Sequence, residues 1–245
     1  MAQGYVAANR NALARTPSDL VPVDWFDCCL PSDDQGRLNA CVGHGTGNWF
    51  VAIIRRKCGL DAIPLGYSFD GELLWRMALE ADGRAGQNEG LASARDCFVS
   101  AKKLGIITGA NALIEIGPAC EGINLSLRET PLVCGIHVHA GWFDDAVNKE
   151  TGQVGEALGP SVLDLAGHCM LMAADIRHPV SGRWAYMWQN SWTQDYGYHG
   201  FALSSHDEFL QCYMGDGPWT VANYDPVNNR TWEKYIVKDP TRGTL

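Results

Sequence analysis

The spacing of apolar positions changes partway along the chain. From Cys41 to Lys57, Trp49, Phe50, Ile53 and Ile54 recur at helical spacing, which predicts a helix over 41–57. Gly43, Gly45 and Gly47 fall in its first turns, and each costs about 1 kcal/mol relative to Ala inside a helix. Contacts from outside the helix must therefore hold that segment. A second helix is predicted over 70–79, after the turn-rich LGYSF. A third is predicted over about 91–104, with Cys97, Phe98, Ala101 and Leu104 on one face. Beyond residue 130 the pattern turns to strands. PLVCGIHVHA (131–140) is β-rich, HCMLMAADI (168–176) reads as a buried strand, RWAYMWQNSW (183–192) is aromatic and strand-like, and GFALSS (200–205) alternates. Near the start VPVDWF (21–26) also alternates. PSDDQG (31–36) is turn chemistry, and its Asp33-Asp34 pair is expected to be solvated. A mainly helical first half and a mainly β second half predict an α+β protein with two lobes. The expected division is a polar arm over 1–20, a body over 21–217 and a meandering tail over 218–245. Within the body the helical lobe spans about 27–125 and the β lobe about 126–217.

The 245 residues accommodate one large domain or two small lobes sharing a core. Apolar residues make up 46% and charged residues 19%, so the chain can bury a sizeable core and is not disordered. A formal net charge of −9 lacks the basic footprint of a nucleic-acid or membrane-surface binder, and neither partner is expected. No apolar run reaches the roughly 18 residues that span a bilayer. The N-terminal stretch also lacks the apolar block, about 7–15 residues long, of a secretory signal. These features predict a cytoplasmic or virion-associated protein with mostly reduced cysteines. The nine cysteines show no CxxC spacing, and His137 and His139 share a strand face without a third ligand, so no metal site is expected.

The candidate chemistry begins at Cys41, which opens the first predicted helix. A thiol there feels the helix dipole and unpaired backbone N–H groups, both of which favour the thiolate. Gln35 lies six positions earlier, on the turn leading in, where its amide can donate to an oxyanion. His168 stands at the lip of a buried strand. Asn190, in QNSWTQDYGYHG, can accept from the second imidazole nitrogen and fix its tautomer. Trp192 follows, placed to shield that bond. His44 shares a helical face with Cys41, but a base on the same helix points alongside the thiol, so a polar or packing role is expected for it.

In this order, with His and Asn about 130–150 residues after Cys, the chain resembles papain-like (C1) cysteine peptidases. DQGRLNAC (34–41) is similar to their DQGxCGSC segment, and VDWF (23–26) to the VDWR strand before it. GHCMLM (167–172) resembles their (N/D)HAV segment. NSWTQDYGYHGF (190–201) resembles NSWGxxWGxxGY, with the glycines in register. QNEGLASARDCFVSAKKLGI (87–106) is similar to the helix after the substrate-binding glycine segment, and ETPLVCGIHVHAGWF (129–143) to a GPVVVGIxVxxxF strand. The matches extend over residues 21–205.

The resemblance implies a two-lobed papain-like fold with the active-site cleft between the lobes. It implies Cys41 as nucleophile, His168 as general base and acid, Asn190 as its orienter, and Gln35 with the Cys41 N–H as the oxyanion hole. Asn88, Glu89 and Gly90 would pair with substrate backbone, and Cys169 and Trp192 would flank the bound peptide. No cofactor or metal is implied. Some positions depart from the family pattern. Val42 replaces an aromatic, Leu38 a disulfide cysteine, Gly167 an Asn or Asp, and Glu89 a glycine. The stretch before Val23 is too short for that family's helical inhibitory prosegment. The implied activity is endopeptidase hydrolysis of a peptide or protein substrate through an acyl-enzyme, with a Cys41 thiolate/His168 imidazolium pair. The departures motivate a different class, a peptidase-fold structural or binding component of a larger assembly such as a phage particle, with little or no turnover. A transglutaminase-like acceptor change is disfavoured by the Gln–Cys spacing.

Overall fold

The computed structural model describes residues 20–91, 93–143, 147–154, 167–178 and 181–242. The expected arm therefore lies almost wholly outside the described residues. The elements run β1 (Val23–Asp24), α1 (Cys41–Cys58), β2 (Tyr67–Phe69), α2 (Gly71–Ala81), α3 (Ala94–Lys103), β3 (Ala112–Glu115), α4 (Cys120–Glu129), β4 (Leu132–His137), β5 (Gly167–Arg177), β6 (Trp184–Gln189), β7 (Phe201–Ser205), α5 (His206–Cys212), β8 (Trp219–Ala222) and β9 (Ile236–Lys238). The three predicted helices and the main predicted strands are present. Their starts follow the caps. The Asp70 carboxylate accepts from Leu73 N at 2.9 Å and begins α2, and Ser93 accepts from Arg95 N at 3.1 Å and begins α3 later than the apolar pattern suggested.

Seven strands form one sheet in the order β3-β8-β4-β5-β6-β7, with β1 added beside β5. Every ladder in it is antiparallel. β5 is the axis. Its first half pairs with β4, Ile136 opposite His168, and its second half with β1, Val23 opposite Asp175. Side chains alternate across it. Cys169, Leu171 and Ala173 enter one core with Trp49 and Phe50 of α1, Leu74 of α2 and Phe98 of α3. Met170 and Met172 enter a second core with Ile123 and Leu127 of α4 and Phe209 of α5. These two cores are the two lobes, and α4 belongs with the strands.

The glycines of α1 are explained by what they touch. A Cβ on Gly43 would stand 2.2 Å from the Gly71 carbonyl oxygen, and one on Gly45 would stand 3.3 Å from Val133 Cγ1. Glycine lets α1 lie directly on α2 and on the β4–β5 surface. That packing offsets the poor helix propensity.

The chain from Pro218 on, expected as a tail, is built into the body. β8 joins the large sheet, and β9 pairs with β2. Tyr224 packs on Trp49 and Phe50 at ring-centroid distances of 5.5 Å. Trp232 and Arg242 are both buried. The apolar anchors here are aromatics scattered among polar residues, a pattern with no period.

Candidate active site

Two loops are laced together in front of β5. Asp34 and Trp192 form an antiparallel bridge, Gln35 N donates to Ser191 O at 3.0 Å, and Thr193 N donates to Asp33 O at 3.1 Å. Gln189 Nε2 donates to Leu30 O at 2.6 Å, and Ser32 Oγ donates to Asn190 O. Gly200, at φ +89°, is so close that a Cβ would stand 2.1 Å from Ser32 Cβ, so any side chain there would push the loops apart. The lacing brings Gln35, Asn190 and Trp192 together.

His168 is the second residue of β5 and is 6% exposed. Its Nε2 lies 2.7 Å from Asn190 Oδ1. Ser191 N–H donates to that same oxygen at 2.7 Å, which fixes it as the acceptor. The imidazole proton is therefore on Nε2, and Nδ1 keeps its lone pair. Trp192 stacks on the His168 ring at 4.4 Å, with Phe143 on Trp192 at 5.8 Å. Burial pulls the imidazole down to about 4, opposed by the Asn190 bond and helped by the nearby His44.

Cys41 is the first residue of α1, and Ala40 before it supplies no side-chain cap. The helix N–H groups there stay unclaimed by side chains. Burial pushes the Cys41 thiol up. The main chain of Cys169, Val42 and Cys41 itself opposes that rise. The Cys169 side chain is buried on the α1 side, its sulfur 3.5 Å from where Gly45 would carry a Cβ.

Gln35 is half-buried. Its Oε1 accepts from Ser191 Oγ at 2.5 Å, and its Nε2 donates to Leu38 O at 2.9 Å. Asn88 is tied to the turn before Cys41: Asn39 N donates to Asn88 Oδ1 at 2.8 Å, and Asn88 Nδ2 donates to Arg37 O at 3.0 Å. Glu89 and Gly90 follow, both exposed. Arg84 binds the Glu89 carboxylate at 3.0 Å and Gly90 O at 3.2 Å, so the Glu89 charge is already matched. A Cβ on Gly90 would meet nothing within 4 Å.

One expectation is corrected. Asp33 is 5% exposed and not solvated. Its carboxylate takes His44 Nδ1 at 2.6 Å and Arg242 Nη2 at 3.2 Å. Burial alone would raise it, but Arg242 and His44 hold it well below the usual carboxylate range. Asp33 in return keeps His44 raised against burial. Ser191 and Met214 were also missed. Met214 Cε lies 2.8 Å from where Gly167 would carry a Cβ, beside His168. Of the two histidines set aside as a metal pair, His139 pairs with Glu208 at 2.8 Å. Among the described residues no group of three or more His, Cys, Asp or Glu could hold a metal ion, and no helix is long and apolar enough to cross a membrane. All nine cysteines are free.

The helices and the antiparallel sheet together form the fold of papain-like cysteine proteases. Xylellain, a cysteine protease from Xylella fastidiosa, aligns with a TM-score of 0.60 over 86% of this chain and 88% of its own, at 16% identity. Bromelain from Ananas comosus, in complex with the E64 inhibitor, gives 0.55 over 82% and 96%, at 13% identity. The ragweed pollen allergen Amb a 11, a cysteine protease in its proform, gives 0.59 over 84% and 67%, at 13% identity. No family model and no curated protein matches the sequence. At these identities the likeness establishes the fold.

Proposed function

We propose that the chain is a papain-like (C1 family) cysteine endopeptidase acting on peptide or protein substrates without a cofactor. One observation carries this reading. Asn190 holds the His168 ring at 2.7 Å and Gln35 bonds the next residue, Ser191, while the helix that opens with Cys41 packs on the strand that carries His168. In the proposed reaction the Cys41 sulfur attacks the peptide carbonyl carbon, and its proton passes to Nδ1 of His168. Nε2–H stays with Asn190 and holds the ring plane. The Gln35 amide has two protons, and Leu38 takes one. The other, with the Cys41 N–H, meets the oxyanion. His168 then gives its proton to the leaving amine as the C–N bond breaks, and water releases the acyl group with His168 again as base. Burial favours a neutral thiol and a neutral imidazole at rest, so thiolate and imidazolium arise together and each offsets the other's desolvation. Substrate backbone would run along Asn88–Gly90.

Alkylation tests this directly. An iodoacetamide or epoxysuccinyl probe at about pH 6 is expected to modify Cys41 selectively, ahead of the exposed Cys58, and His168→Ala is expected to abolish it. Gln35→Ala is expected to keep labelling but to lose about 10²–10³-fold in turnover. Turnover within about twofold of wild type would overturn the oxyanion assignment. A second reading is favoured by the burial that holds Cys41 and His168 neutral: a peptidase-fold binding or structural component of a larger assembly. Slow labelling led by Cys58 would support it.

A further inference from the structure

We propose that Arg242 is a positioning residue. Its buried guanidinium braces Asp33, and through it the Gln35 loop, against the helix that carries Cys41. The catalytic consequence rests on the peptidase reading above.

Arg242 is 1% exposed. A guanidinium this deep must be matched by charge and hydrogen bonds. Nη2 contacts Asp33 Oδ2 at 3.2 Å and donates to Asn48 Oδ1, and Nε donates to Asp239 Oδ2 at 3.2 Å. Asp33 also holds His44 Nδ1 at 2.6 Å and faces Asn48 Nδ2 at 3.4 Å. His44 and Asn48 lie on successive turns of α1 after Cys41. The carboxylate therefore joins nucleophile helix to oxyanion loop, with Gln35 two residues on. The same C-terminal segment reaches the shielding loop, where Gln194 Nε2 donates to Thr241 O at 2.8 Å. Three parts of the site that are remote in sequence converge on this one segment. Arg242 touches none of the proposed reacting atoms, so it acts through Asp33, His44 and Asn48. A planar fork meets acceptors in fixed directions, which a lysine ammonium does not.

The test measures kcat and KM on a fluorogenic peptide amide for Arg242→Ala and Arg242→Lys, with the exposed Lys102→Ala as control. Arg242→Ala is expected to lower kcat about 10–100-fold with KM little changed, because the displaced groups act on the transition state. Arg242→Lys is expected to recover only a small part. Millimolar guanidinium, but not urea, is expected to restore part of the Arg242→Ala activity. A lowered Tm with kcat unchanged would overturn the proposal in favour of plain packing. So would kcat within about twofold of wild type in both variants. Failure of both variants to fold would likewise leave Arg242 a folding residue only. If wild type shows neither turnover nor Cys41 labelling, the peptidase reading fails on its own. The brace is then read from amide hydrogen exchange. Faster exchange over 33–38 in Arg242→Ala, with β4 and β5 unchanged, supports it, and unchanged exchange over 33–38 overturns it.

Discussion

β5 engages a buried histidine at each end, and the two ends differ in the charge of the partner. At its start, His168 meets the Asn190 amide at 2.7 Å. Near its far end, Asp175 meets His206 Nε2 at 2.8 Å. The rings are about equally withdrawn from water, 6% and 8% exposed. Both are stacked, His168 on Trp192 at 4.4 Å and His206 on Tyr186 at 4.2 Å. Burial pulls both imidazoles down. It prevails at His168, which falls to about 4. At His206 the Asp175 carboxylate and the nearby Cys120 outweigh it, and the ring rises to about 9. Burial and stacking are shared, so the partner decides. An amide orients an imidazole and leaves it free to accept a proton, whereas a carboxylate turns it into a charged strut. His44 on Asp33 belongs with the struts.

The largest expected effect separates the two ends by function. His168→Ala should lower kcat/KM by about 10⁴-fold or more while far-UV circular dichroism stays native. Asp175→Asn should do the reverse, leaving kcat near wild type and removing about 3–5 kcal/mol of stability in urea titrations, because it strands a buried imidazolium. The sign of the pH dependence follows. His206 is raised above its unfolded value, so its contribution is full below about pH 6.5 and is lost as pH rises through about 9, on the order of 3 kcal/mol. Glu208, raised to about 8 by burial, acts in the same direction. His168, being lowered, costs stability only below about pH 6.5. Wild-type stability should therefore fall between pH 6.5 and 9, and Asp175→Asn should flatten that slope. A flat wild-type profile would sink the strut.

Legibility in the sequence was uneven for physical reasons. α1 is long with a clear apolar period and β5 is a long unbroken apolar run, so local pattern found them. Short elements lack that signal. α5 nevertheless announces itself by its cap, since Ser205 Oγ accepts from Glu208 N at 3.1 Å, and Ser205 followed three positions on by Glu208 is a readable start. α4 has no side-chain cap, and its buried face is short and mixed, with the polar Asn124 among Cys120, Ile123 and Leu127. Cys41, His168, Asn190 and Gln35 could be named as candidates because the chemistry proposed for them depends on residue type and order. Asp33 was not, because its burial depends on Arg242, far along a segment with no period of its own. Polar side chains that stabilise one another across the fold leave no local trace.

The smallest effect sharpens the comparison most. Asn190→Asp places a carboxylate on His168 and gives the start of β5 the chemistry of its far end. The ring should rise from about 4 toward or above its ordinary 6.5. If His168 rests neutral, the acid limb of kcat/KM moves up, and activity at pH 5 drops about tenfold or more while activity at pH 8 is nearly retained. If a thiolate–imidazolium pair is already formed at rest, the same substitution stabilises that pair. The alkaline limb then moves outward, and the rate at pH 5 holds. A displaced alkaline limb with an unmoved acid limb would mean that the amide at Asn190 orients a ring already charged, and the contrast between the two ends of β5 would be one of geometry alone.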